Sequence, residues 1–138
     1  MAGQEEVVVD TSVIIKWFSE EEGTEQALKV RDDHISGAKF IMAPDLMIYE
    51  LSNALRFKPG FDNAKVGRAI ADIFAMQIDL ITPSEDLAKR CSNISFRFGI
   101  TIYDACYLAL GELMGIRVLT SDKKFYGLAK RSGFLALI

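Results

Sequence analysis

The chain has 138 residues, 50% of them hydrophobic and 25% charged, with a net charge of −3 from 16 basic and 19 acidic side chains. That length can bury roughly 68% of the unfolded surface, so a core forms without disulfides or a structural metal and a second domain does not fit. The longest apolar run, Ala105 to Leu110, falls far short of the roughly 20 residues of a membrane span, and the first residues lack the basic start of a secretory leader, so one soluble cytoplasmic domain over residues 1–138 is expected.

Short β-branched runs alternate with helical patterns, the signature of a parallel sheet with helices on both faces. Strands are predicted at 6–10 (EVVVD), 39–43 (KFIMA), 78–82 (IDLIT), 117–120 (RVLT) and 134–138 (FLALI), apolar runs suited to burial on both sides. A short helical segment at 13–18 follows the first strand. Next comes a helix that Thr24 caps and Gly37 stops, with the single histidine, His34, near its end in a solvated or capping role. Pro44-Asp45 opens a helix to about Lys58, which Pro59-Gly60 closes. Asp62 caps a helix to about Gln77, Ser84 one to about Gly99, and Thr101 one that stops at Gly115; the last runs from about Lys123 to Arg131. The predicted fold class is α/β, a three-layer sandwich with a central five-stranded parallel sheet flanked by helices.

Counting excludes several chemistries. One histidine rules out catalysis by a histidine pair and an HExxH zinc site. GxSxG, GxGxxG and GxxxxGK are absent, so the common signatures of a serine hydrolase, a Rossmann site and a P-loop are missing. Cys91 and Cys106 lack CxxC spacing and read as buried thiols. With a negative net charge, any nucleic-acid binding must come from a local basic patch.

Carboxylate remains, and four acids occupy unusual positions. Asp10 ends the strand VVVD, where open parallel sheets bind ligands, although Asp10 or Ser12 can equally cap the helical segment behind it. Glu50 lies in mid-helix among Leu46, Met47, Asn53 and Ala54, a poor setting for a free charge unless it reaches water or a cation. Asp104 sits in the first turn of a helix that is apolar almost all round, and TxxD is also a capping-box pattern. Asp122 follows RVLT and can cap the next helix. Three of these four fall at a strand end or helix start on one rim of the sheet. Converging carboxylates repel one another, a cost offset when a divalent cation binds, and oxygen ligands without His or Cys select Mg²⁺ or Mn²⁺.

The segments VVVDTS (7–12), IYELSNAL (48–55), YDACYLAL (103–110) and VLTSDKKF (118–125) together resemble, in order, the four motifs of PIN-domain nucleases. Their acids stand 40, 54 and 18 residues apart. The resemblance covers essentially the whole chain and is greatest to VapC-type toxins of toxin-antitoxin pairs. It implies a Mg²⁺- or Mn²⁺-dependent endoribonuclease hydrolysing RNA phosphodiester bonds, a homodimer, and inhibition by a small antitoxin protein that covers the active site. Asp10, Glu50, Asp104 and Asp122 would form the acidic, metal-binding site, with Ser12 matching a small polar position and Thr11 and Thr120 in support. Asp10 and Asp104 are expected as direct ligands, with Glu50 and Asp122 acting through metal-bound waters.

Two other readings remain. A receiver-type Mg²⁺-binding regulatory domain would place an acidic pair after the first strand and a lysine beyond the fifth, whereas here Thr-Ser follows Asp10 and the fifth strand ends the chain. A PIN-fold RNA- or partner-binding module without turnover is disfavoured by the four intact acids. Lys16, Arg56, Lys58, Arg97, Lys123 and Lys124 near the rim are phosphate contacts or ordinary solvated side chains. Trp17, Phe18, Phe96 and Phe98 serve stacking, an interface or the core. Gly111 and Gly115 suggest close helix packing.

Overall fold

Val7, Val8 and Val9 have no exposed surface, which a strand achieves only when helices cover both faces of its sheet. The computed structural model, which describes residues 4–138, places them in β1 (Glu5–Val9). After β1 come a short helix α1 (Thr11–Ile14) continuing into a 3-10 turn (Ile15–Trp17), α2 (Thr24–Ser36), β2 (Lys39–Pro44), α3 (Leu46–Arg56), α4 (Asn63–Ala75) and β3 (Asp79–Ile81). The remainder is α5 (Glu85–Phe98), α6 (Ile102–Met114), β4 (Val118–Thr120), α7 (Lys123–Ala129), a 3-10 turn (Lys130–Ser132) and β5 (Leu135–Leu137).

The five strands form one parallel sheet in the order β3-β2-β1-β4-β5. Val7 and Val8 pair with Ile41 and Met42 on one side, and Val8 and Val9 with Val118 and Leu119 on the other. The chain winds outward from β1 to β3, then crosses back to β4, so the winding direction reverses between β1 and β4. Right-handed crossovers then put α1–α4 on one face and α5–α7 on the other, the three-layer α/β sandwich expected. Reversal points of this kind open a crevice beyond the carboxyl ends of the two central strands.

Most of the predicted caps form. Asp62, Ser84, Thr101 and Asp122 accept from the backbone N–H groups of Lys65, Leu87, Asp104 and Phe125, and Gly37 ends α2 with φ +87°. Four local expectations are corrected. Thr24 does not cap α2: Gly23 occupies that position, while the Thr24 hydroxyl accepts from Glu21 N–H and donates to Ser19 C=O, closing the preceding loop. Pro44 does not open α3 but ends β2, where its fixed φ fits the last strand position. The α4 helix stops at Ala75, and Gln77 adopts φ +57° before β3. His34 is neither solvated nor a cap: Ile41 N–H donates to its Nδ1, so the proton lies on Nε2 and is given to Met76 C=O at 2.7 Å. One ring thereby joins α2, β2 and the end of α4.

The apolar helix α6 is buried along Ala105 and from Tyr107 to Gly111, packed on α5, β1, β2 and β4. Gly111 allows that approach, since a Cβ there would meet Val118 Cγ2 at 2.4 Å and Ile116 C=O at 2.9 Å. Gly115 instead ends the helix in the left-handed region. Cys91 is buried and Cys106 half-buried, both free thiols, on α5 and α6, which pack together. Trp17 and Phe98 belong to the core, Phe18 packs against it, and Phe96 is 86% exposed. Among the described residues no helix is long and apolar enough to cross a membrane.

Candidate active site

Asp10 stands directly beyond β1 and is only 5% exposed. Its backbone lies at the N-cap position of α1, yet its carboxylate makes no cap bond. Oδ2 instead accepts from Ser12 Oγ and Thr120 Oγ1, both at 2.8 Å. Thr120 is the last residue of β4, the neighbouring strand, so the adjacency of β1 and β4 delivers its hydroxyl. Ser121 N–H donates to Ser12 Oγ and Asp122 N–H to Thr120 Oγ1, which fixes both hydroxyl oxygens against the chain leaving β4. Among the described residues no side-chain donor reaches Oδ1 of Asp10, and no buried side-chain polar atom lacks a partner, so Oδ1 is the oxygen that meets the crevice.

Glu50 projects from the middle of α3. Its Oε1 accepts from the phenol of Tyr107, and Thr11 Oγ1 lies 3.1 Å from the same oxygen and 2.6 Å from the phenol. Tyr107 belongs to α6, one turn after Asp104, and its side chain is fully buried. Glu50 therefore lies against hydroxyls from α1 and from α6 on the far face of the sheet, which together fix a side chain that would otherwise swing freely.

Asp104 and Asp122 complete the rim. Asp104 sits in the first turn of α6, where its N–H, not its carboxylate, makes the cap with Thr101. Asp122 caps α7 through Oδ1 while standing beside Asp104. Burial pushes the Asp10 carboxyl up to about 6, with Asp104 and Glu50 adding to the rise and the Ser12 and Thr120 hydroxyls opposing it. Asp104 is also raised, first by burial and then by the charges of Asp122 and Glu50, with the Thr101 hydroxyl and then Lys124 opposing. The four acids thus share one electrostatic neighbourhood. No Lys, Arg or His among the described residues lies within ion-pair distance of any of them.

An all-oxygen donor set with unneutralised carboxylates suits a hard divalent cation. It is an open set: among the described residues no three His, Cys, Asp or Glu side chains converge into a ready cage. Such openness fits Mg²⁺, which keeps several of its waters. A cleft of about 690 Å³ opens beside Asp122, with Lys16, Lys123 and Lys124 along its walls. The other basic residues go elsewhere. Lys58 pairs with Glu21, Arg56 lies over the Phe57 ring, and Arg97 lies over the Phe98 ring.

The PIN domain model matches residues 7–131, a span that contains all four acids. The chain belongs to the PIN domain family. Ribonuclease VapC3 of Pyrobaculum aerophilum is 28% identical over 127 residues, 86% of this chain and 90% of that protein. Among solved structures, VapC20 of Mycobacterium tuberculosis, a toxin that cleaves the sarcin-ricin loop, matches with a TM-score of 0.73 at 18% identity, covering 93% of this chain and 95% of that one. A toxin-antitoxin complex from Klebsiella pneumoniae matches at TM-score 0.65 and 19% identity, covering 87% and 89%. The expected PIN-like fold and the likeness to VapC-type toxins are both borne out.

Tyr107 is the residue of this PIN-family crevice that sequence reasoning missed. A signal for it exists: in Tyr103-Asp104-Ala-Cys-Tyr107 the second tyrosine shares the helix face of Asp104, and a phenol buried in an apolar helix needs a partner for its hydroxyl.

Proposed function

We propose that the chain is a Mg²⁺- or Mn²⁺-dependent endoribonuclease and the toxin of a toxin-antitoxin pair, working in the cytoplasm as a homodimer of one domain over residues 1–138. The observation that carries this reading is the mutual electrostatic influence of Asp10, Glu50, Asp104 and Asp122, with no cationic side chain among the described residues in ion-pair contact with any of them. Asp10 and Asp104, buried and half-buried, would hold the ion directly. Glu50 and Asp122, each with one oxygen committed to protein donors, would hold its waters. When bound, a divalent cation lowers the pKa of a water and screens a phosphodiester. Ser12 and Thr120 keep Asp10 oriented by holding Oδ2, while Lys16, Lys123 and Lys124 would carry the RNA backbone along the cleft toward Asp122.

Support for a protein partner comes from surface chemistry and from the relatives. Tyr49, next to Glu50 in sequence, and Tyr103, next to Asp104, are 78% and 64% exposed, large aromatic groups open to a partner. An antitoxin segment laid over them would exclude RNA. The deciding experiment is cleavage of RNA by the purified chain with Mg²⁺ or Mn²⁺ and with EDTA. Cleavage that needs the metal supports the reading. Undiminished cleavage in EDTA overturns the metal dependence, and binding without cleavage in any metal makes the chain a binding module.

A further inference from the structure

Three oxygens meet beside Glu50: its own Oε1, the phenol oxygen of Tyr107 and Thr11 Oγ1. The two hydroxyls bring only two hydrogens to three close contacts. The longest, Thr11 to Glu50 at 3.1 Å, is the natural one to be weak, which leaves Thr11 donating to Tyr107 and Tyr107 to Glu50. A donor that itself accepts a hydrogen bond is polarised and donates more strongly. The phenol sits on α6, a helix buried against the sheet, so it is anchored far better than Glu50 is by its own flexible stem.

We propose that Tyr107 is a positioning residue that, with Thr11, locks Oε1 of Glu50 and leaves Oε2 as the single oxygen offered to a divalent cation or its waters in the Asp10–Asp104 crevice. The proposal rests on the metal-dependent reading above. It assigns Tyr107 no contact with RNA or metal. Its effect runs through the orientation of one carboxylate, the role that hydrogen-bonding partners of metal ligands play in general, where their loss weakens affinity or activity about 10- to 100-fold.

The test is Mn²⁺ titration of the metal-free full chain by calorimetry, for wild type, Tyr107→Phe, Thr11→Val and Thr11→Ser. Tyr107→Phe keeps the buried ring and deletes only the hydroxyl. It should weaken Mn²⁺ binding about tenfold or more and lower kcat for RNA while KM changes little. Thr11→Val should weaken Mn²⁺ binding in the same direction, and Thr11→Ser, which restores the hydroxyl, should recover the affinity. A purely structural phenol would lower the melting temperature and leave the Mn²⁺ affinity within twofold of wild type, and that result overturns the proposal while leaving the nuclease reading intact. If Tyr107→Phe does not fold, the Thr11 pair decides: equal affinities for Val and Ser sink the lock. Wild type that binds no Mn²⁺ overturns the metal-dependent reading itself, and the proposal with it.

Discussion

Thr120 Oγ1 donates to Asp10 Oδ2 at 2.8 Å, joining the last residue of β4 to the residue after β1 across 110 positions of sequence. Thr120 is fully buried and Asp10 nearly so. Two hydroxyls are therefore the protein's whole compensation for a carboxylate taken out of water, and they do not suffice: burial still holds Asp10 protonated up to about pH 6.

That shift has a definite sign. Between about 3.9, the ordinary aspartate value, and about 6 the folded state binds a proton that the unfolded state has released. The stability Asp10 contributes to the metal-free protein is thus full below about pH 4 and is lost as pH rises through 6, on the order of 3 kcal/mol in all. Asp10→Asn removes this titration. In urea unfolding with EDTA, the variant should gain on wild type steadily from about pH 4 to about pH 7; a gap that does not change with pH refutes the burial argument.

Asp104→Asn relieves repulsion from Glu50 and Asp122 and leaves the Thr101 cap in place, since that cap uses the backbone N–H. The metal-free variant should be as stable as wild type or more so. Wild type should gain about 2.7 kcal/mol from Mn²⁺ at a hundredfold excess over Kd, and the variant far less. Thermal melts with and without EDTA check both; an equal metal response in the two proteins removes Asp104 from the site.

Gly111→Ala should cost about 1–3 kcal/mol, because the new methyl group meets Val118 and the Ile116 carbonyl at distances that require α6 or β4 to move. Gly115→Ala faces open space and should lose only about 1 kcal/mol, from its left-handed backbone. Denaturant midpoints of the two variants should rank in that order.

His34→Ala strands the Ile41 N–H and the Met76 carbonyl together, so a loss of about 1–3 kcal/mol is expected. Hydrogen exchange at the Ile41 amide offers a local check: it should speed up more than exchange at Val7, which lies beside it in β1.

Much of this was legible because the informative residues are local to strand ends and helix starts. Asp10 and Asp122 read as crevice residues from the apolar runs before them; Thr101 declared itself as a cap through Asp104 three positions on, Ser84 through Glu85 in the first turn, and Asp62 by its place before an apolar helix. What escaped were pairings made by the fold alone. Thr24 looks like a cap in sequence, but its hydroxyl turns back to Glu21. His34 finds its second partner 42 residues on, in Met76. Tyr107 meets Glu50 only because α3 and α6, on opposite faces of the sheet, converge at the same end of it. The order of strands was equally hidden, since five similar apolar runs do not say which of them lies beside β1.

The reversal between β1 and β4 also sets a time at which the crevice can exist. A chain emerging from the ribosome presents Asp10, Glu50 and Asp104 well before Thr120 and Asp122, and until β4 inserts beside β1 the Asp10 carboxylate lacks the Thr120 hydroxyl and Ser12 lacks the Ser121 amide that hold it. A nascent chain shorter than β4 thus carries three of the acids without the means to orient the first of them. Late closure means that no product ending before β4 holds the assembled crevice.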